Sequence, residues 1–414
     1  MIPLTVEEVR ALAPGELEGA GEVTGVQIDS RRVRPGDLFV AIGLGAEFRD
    51  DARDRGAAAT LVPDDPFAAL AAIAGAVRER SEARVVGITG STGKTSTKDI
   101  LAALCAPVAR TVAAEGSFNN ELGVPLTLCR LEPDTELCIV EMGMRGFGQI
   151  ADLCAYARPE VGVITAVGPV HLALVGSVEG VARSKAELLE ALPVAGVAVV
   201  PEDAKALDRY LRNDLIVLRV APVDVELLAD GAHVAFGGRR IRFNVSSRHQ
   251  AQNAFTALHA YAALGLPVDR ADEGAARVEL SQWRGERLSL PGGGFVINDA
   301  YNANPTSVRA ALLDLVERAE GRRALAILGG MAELGKRAPA YHEEIASLAR
   351  ELGIELLAVG DLARWYGADR WEPDPQAALA AAQELVQPED AVLVKASRAV
   401  GLEGIAPALT NHAR

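Results

Sequence analysis

From Arg84 onward the chain alternates between two patterns. Short β-branched runs, VVGIT (85–89), LCIVEMG (137–143), VGVITAVG (161–168), VAVVP (197–201) and LIVLRV (215–220), are nearly continuously apolar, like strands buried on both faces of a parallel sheet. Between them, apolar residues recur every three to four positions, which predicts covering helices. HVAFGGRRIRFNV (233–245) instead alternates at period two around a Gly-Gly turn, predicting an antiparallel hairpin tacked onto that sheet. A second series starts near Gly294. It runs GFVIND, a helix from about Pro305, RALAILGG (323–330), a helix from about Pro339, IELLAVG (354–360), another helix, DAVLVKAS (390–397) and a final helix. That is the grammar of a separate doubly wound unit. Ahead of both, VTGVQID, DLFVAIG and AATLVP followed by an Ala-rich helix from Pro66 to Arg80 make a small mixed unit. The expected fold class is therefore α/β in three domains: a small mixed α/β N-terminal domain (1–82), a central domain with a mainly parallel sheet (83–285), and a C-terminal Rossmann-like doubly wound domain (286–414).

At 414 residues the chain is too long for one core, in keeping with this division. A formal net charge of -14 opposes a role in gripping nucleic-acid backbones, while leaving room for a local phosphate pocket. MIPLTVEEVR has acids where a signal peptide carries a basic region, and no apolar run is long enough to cross a bilayer. A cytoplasmic protein without membrane insertion, and a monomer, is expected. Cys105, Cys129, Cys138 and Cys154 show no metal-type spacing and read as buried free thiols.

The chemistry concentrates in VVGITGSTGKTSTKDIL (85–101). A G-x-x-x-x-G-K-[ST] loop would need glycine at Ile88; here the turn Gly90-Ser91-Thr92-Gly93-Lys94-Thr95 is two residues tighter. It still joins a strand to a helix whose apolar face is Ile100, Leu101, Leu104 and Cys105. Unpaired amides and the positive end of the helix dipole there attract an anion. Lys94 can reach β- and γ-phosphates, and the Thr95 hydroxyl can ligate Mg²⁺. A structural turn with a solvated lysine is the plainer alternative.

This T-G-x-x-G-K-T loop resembles that of the Mur ligase superfamily, the ATP-dependent amide-bond-forming enzymes of peptidoglycan synthesis, and of their folylpolyglutamate synthetase relatives. The central domain is then a P-loop-type ATPase, with Gly90, Ser91, Thr92, Gly93, Lys94, Thr95 and Ser96 around the phosphates. The segment 117–125, SFNNELGVP, is similar to the family's N-x-N-N-x-x-G-x-P, with Ser117 in place of an asparagine, and implicates Asn119 and Asn120. Glu141 in EMG resembles the E-x-G carboxylate that ligates magnesium. His171 and Lys185 match the histidine of a second magnesium and the lysine that becomes a ligand on carbamylation. Taken singly, Glu141 could be a solvated strand end, His171 a loop histidine and Lys185 an exposed helix lysine. Two magnesium ions suit the chemistry, since phosphoryl transfer to a carboxylate brings two anions together. RHQAQNA (248–254) resembles H-N-x-x-N-A; Gln250 replaces the first asparagine, and Asn253 is retained for adenine.

Within the family, DSRRVRPGDLFVA (29–41) resembles the uridine-diphosphate-binding segment of the branches adding the third residue and the final dipeptide, implicating Ser30 and Arg31. Glu47 to Asp51 departs from the D-G-H-x-F that often follows. NDAYNANPTS (298–307) resembles the branch that joins D-alanyl-D-alanine to a UDP-N-acetylmuramoyl tripeptide, not the Y-A-H-x-P version of the third-residue branch. GGMAELG (329–335) and KASR (395–398) resemble that branch's G-D-M-x-E-L-G and K-G-S-R, with Gly330 and Ala396 as departures. The resemblance implies Asp299 at the ATP ribose and Arg287 reaching the γ-phosphate from the linker WRGER. Asn302, Asn304, Lys395, Ser397 and Arg398 fall on the substrate side. ATP and magnesium are the implied cofactors, the muramoyl tripeptide nucleotide and the dipeptide the implied substrates. Lys94, Lys185, His171 and Arg287 are the groups expected to act at the reacting atoms. A third-residue ligase, or a non-catalytic sensor on the same scaffold, are the rival readings.

Overall fold

The computed structural model describes residues 1–228 and 231–412. Six parallel strands form the central sheet, in the order Ile216–Val220, Val197–Pro201, Val161–Ile164, Arg84–Thr89, Leu137–Glu141, Thr111–Ala113. Arg84–Thr89 lies at the point where the connections reverse direction, so a crevice opens beyond its C-terminal end. Register places Ile88 opposite Glu141 and Thr89 opposite Ile164. The strand ends therefore bring the phosphate loop, Glu141 and the segment after Ile164 together. Helices Lys94–Cys105 and Arg248–Ala263 cover one face; Gln149–Ala157 and Val178–Glu190 lie on the other.

The Gly-Gly hairpin forms as expected from Gly231–Phe236 and Arg239–Phe243, with Gly237 and Gly238 at φ 57° and 74°, the left-handed pair such a turn needs. It does not extend the parallel sheet. With Val225–Leu228 it makes its own three-stranded sheet, and Val234, Ile241 and Phe243 share a core with Leu258 and Tyr261. Apolar burial against the helix, with no shared ladder, fixes its position.

The C-terminal sheet runs Glu286–Ser289, Phe295–Asn298, Ala391–Lys395, Ala324–Gly329, Glu355–Val359, Arg370–Glu372, parallel except at its first strand. The N-terminal unit holds a four-stranded sheet (Gly15–Gly19, Ala59–Pro63, Asp37–Val40, Gly25–Gln27) and the helix Pro66–Glu79. That helix begins at an Asp65 cap with proline in its first turn, as the sequence implies. Its Leu70, Ile73 and Val77 are buried in a core continuous with Leu128, Leu153 and Ala157 of the central domain. All four cysteines are buried and free. No helix among the described residues is long and apolar enough to cross a membrane.

Candidate active site

A cleft of about 1520 Å³ runs between the domains, lined by Phe67 from the first, by the phosphate loop, and by Asp299, Tyr301, Asn302, Ala303 and Asn304 from the last. Gly93, at φ 80°, caps the helix Lys94–Cys105 with no side-chain cap, leaving its first amides to a ligand. A Cβ at Gly93 would run into the Asn253 amide, so only glycine lets the loop pass beneath that side chain. The loop is anchored to the segment after Ile164. Ser91 N donates to Ala166 O at 2.8 Å, and Ser91 Oγ donates to Gly168 O at 3.1 Å. Lys94 Nζ donates to Gly90 O at 2.8 Å. Burial pushes the Lys94 pKa down; Glu141 opposes this and Arg284 adds to it.

Thr95 and Glu141 are each 1% exposed. Asn119 Nδ2 donates to Glu141 Oε1 at 2.8 Å, while Oε2 is buried without a partner. An orphaned carboxylate oxygen and a buried hydroxyl lining one cleft suit a hard cation that takes oxygen ligands. Lys185, 2% exposed, has its pKa driven well down by burial and then by Lys94, so its amine is disposed to be neutral. Neutrality is what carbamylation requires, because only the free amine attacks CO₂. His171 stands at φ 52° with Nδ1 against Glu333 Oε2 of the C-terminal domain. Burial depresses its pKa, Glu333 opposes that, and Lys94 and Lys185 depress it further. Lys94, Glu141, His171 and Lys185 all line the same cleft. Among the described residues no three His, Cys, Asp or Glu side chains group for a metal. A magnesium here would draw on Thr95, Glu141, His171, a carbamate at Lys185 and phosphate oxygens, the sparse protein ligation usual for Mg²⁺.

On the C-terminal side, Asp299 accepts from Lys395 Nζ at 2.5 Å, and Lys395 also donates to Asn302 O at 2.9 Å. Asn304 caps the helix Pro305–Ala319 in a reciprocal pair with Ser307, and its Nδ2 donates to Ser91 O at 3.4 Å. Ser397 Oγ accepts from Ala332 N at 2.9 Å and donates to Ala303 O. Tyr301 meets Ser117 hydroxyl to hydroxyl, and Arg248 forks onto Glu317 at 2.7–2.9 Å. The last domain therefore rests on the phosphate loop.

Several expected residues stand elsewhere. Arg287 lies in the edge strand Glu286–Ser289, its guanidinium 4.4 Å over the Phe295 ring, and does not line the cleft. Arg284, three residues earlier, lines it instead, stacked 4.0 Å over Tyr301 with Nε buried and unpaired. Arg398 also lines the cleft; it stacks on Trp283 and pairs with Glu403 at 2.8 Å. Asn120 lines the cleft but spends its Oδ1 capping Leu122 and Gly123. Ser30 and Arg31 lie away from the cleft, Arg31 fully forked onto Asp29 at 2.8 and 2.9 Å. At Gly330, a Cβ would come within 2.5 Å of Leu362 Cβ, which gives a steric reason for glycine where the resemblance has aspartate. Glu333 and Arg284 were not singled out from the sequence. The E in MAELG and the first R in WRGER were available signals.

Residues 88–261 match the model of the Mur ligase middle domain, and 283–398 that of the Mur ligase glutamate ligase domain. The chain belongs to the Mur ligase family. It is 35% identical to the UDP-N-acetylmuramoyl-tripeptide–D-alanyl-D-alanine ligase of Mycobacterium tuberculosis, over 99% of this chain and 98% of that protein. A MurF crystal structure from Acinetobacter baumannii superposes with a TM-score of 0.85 at 26% identity, covering 99% of both chains. MurF ligase from Thermotoga maritima, solved in complex with ADP, gives 0.82 at 26% identity over 94% of this chain and 97% of that one.

Proposed function

We propose that this chain is an ATP-dependent ligase that joins D-alanyl-D-alanine to UDP-N-acetylmuramoyl tripeptide, acting in the cytoplasm as a monomer. The observation that carries this is the meeting of three things in one cleft: a helix-capping phosphate loop with Lys94, a buried half-satisfied Glu141, and the YNANP turn of the last domain laid against Ser91. ATP transfers its γ-phosphoryl group to the tripeptide's terminal carboxylate, giving an acyl phosphate and ADP. The dipeptide amine attacks the acyl carbon, loses a proton, and the tetrahedral adduct expels inorganic phosphate.

The residues bind, orient and shield. Lys94 and the amides at the start of its helix hold the phosphates, Asn253 stands over Gly93 on the adenine side, and Asp299 takes the ribose hydroxyls. Arg284 is the linker arginine that faces the transferring group; this replaces Arg287 in that role. Magnesium, held by Thr95, Glu141, His171 and a carbamylated Lys185, would neutralise the facing anions. Asn119 orients Glu141. The last domain excludes water that would otherwise hydrolyse the acyl phosphate. Lys395, Ser397 and Arg398 border the side from which the dipeptide enters.

Phosphate release should require ATP, Mg²⁺, the tripeptide nucleotide and the dipeptide together, with a mass gain of one dipeptide on the nucleotide. Release with a free amino acid and the muramoyl dipeptide in their place would instead make it a third-residue ligase. ATP binding with no release from any pair would leave a sensor.

A further inference from the structure

The departure at Gln250 has a structural counterpart in the linker. Between the central and last domains the chain bends sharply: Trp283 is at φ 60° and Gly285 at φ 77°. A bulky residue in left-handed conformation is costly and persists only where its surroundings hold it. Three bonds do so. Tyr301 N donates to Trp283 O at 3.3 Å, Gly285 N donates to Asn298 O at 3.0 Å, and Gln250 Nε2 donates to Arg284 O at 3.0 Å. The first two tie the bend to the last domain. Gln250 ties it to the central domain, from the first turn of the helix that also carries Asn253.

Gln250 is 2% exposed, and both ends of its amide are used: Oε1 accepts from Ser246 N at 2.8 Å and from Ser246 Oγ at 3.3 Å. A Cβ at Gly285 would approach Nε2 to 2.8 Å, so the bend and the glutamine fit one another closely. Arg284, whose carbonyl is held this way, carries an unpaired Nε and lines the same cleft as Lys94. Those two bonds hold the bend to the last domain, and Arg284 meets the central domain indirectly through Tyr301 and Ser117; Gln250 is the direct bond from the central domain to the Arg284 backbone. Ser281, which bonds Asp99 through N and Oγ at 2.8 Å, holds the linker three residues too early to set that carbonyl.

We infer that Gln250 is a positioning residue: through the Arg284 carbonyl it sets the guanidinium against the γ-phosphate, making the arginine selective for the triphosphate. Resting on the ligase reading, this predicts a defect confined to the third phosphate. In full-length protein, Gln250→Glu keeps the side-chain length and the Ser246 acceptor but removes the donor; Gln250→Met keeps length and removes both. Each is titrated with ADP and with a non-hydrolysable β,γ-methylene ATP analogue, and assayed for kcat, alone and with Arg284→Ala.

The expected result is ADP affinity unchanged, preference for the analogue over ADP reduced roughly three- to ten-fold, and kcat reduced by a similar factor, as for loss of one hydrogen bond. In the Arg284→Ala background neither variant should add to the loss. Equal weakening of ADP and analogue, or a full additional loss in that background, would overturn the inference. Absence of substrate-dependent phosphate release in the unmutated protein would instead strike the ligase reading, so the two failures are distinguishable.

Discussion

Asn119 satisfies one oxygen of Glu141 and leaves the other alone: Nδ2 donates to Oε1 at 2.8 Å, and Oε2 is buried with no partner. A buried acceptor without a donor costs stability unless something binds it. Glu141→Gln should therefore leave the metal-free Tm equal or higher, while abolishing the rise in Tm that Mg²⁺ adds to the ADP complex. Calorimetry with ADP, with and without Mg²⁺, checks both. A magnesium-dependent rise as large as in the parent would remove Glu141 from the metal site.

Lys94 lies at the N-terminal end of its helix with its ammonium folded back onto Gly90 O. Lys94→Ala takes away one intramolecular hydrogen bond at the mouth of the cleft, so the folded state should survive. Turnover should vanish, because a positive charge at the transferring phosphates is lost. Near-normal phosphate release by a folded variant would show the loop to be misassigned.

Arg284 and Arg287 offer a direct comparison. Arg284→Ala should lower kcat by about 10²–10³, the usual cost of deleting a transition-state donor. Arg287→Ala should forfeit only its stacking on Phe295, about 0.5–1 kcal/mol of stability, with kcat within about three-fold of the parent. The reverse order of effects would restore Arg287 to the phosphate.

Two cleft residues oppose each other in the acid range. Burial holds His249 down to about 4 from its usual 6.5, so between those values the unfolded chain takes a proton that the folded one refuses. Its effect is to lower stability as pH falls from 6.5 to 4. Burial raises Asp314 from 3.8 to about 6, with Arg318 opposing, so there the folded chain holds the extra proton. Its effect is to raise stability as pH falls from 6 to 3.8. Asp314→Asn should steepen the acid loss, and His249→Gln should reverse its slope. Urea midpoints across pH 4–7 would read this; parallel curves for parent and variants would count against both assignments.

Much of the architecture was legible because it is local. Strand VVGIT, the glycine turn and the face Ile100, Leu101, Leu104 follow from side-chain period and backbone freedom, and Lys94–Cys105 forms where they predict. Pro66 and Pro305 at helix starts behave likewise. Strands Gly15–Gly19 and Thr111–Ala113 carry no such signal: the first has a single buried apolar residue, Leu17, and the second is only three residues long. Neither leaves a period to detect.

The sequence by itself determined most of the elements and the three-part division, since strand, turn and helix preferences depend on neighbours within a few residues, and its motifs carried the kind of chemistry. Only the tertiary structure decided which groups face one another. Glu141 joins the loop because its strand pairs Glu141 with Ile88, a choice made by sheet packing. Arg284 faces the cleft while Arg287, past the bend at Gly285, is carried onto Phe295. Glu333 reaches His171 from 162 positions away, because two domains close on each other. Contacts so distant along the chain leave no local pattern; they exist only when burial of the intervening cores brings the backbones together.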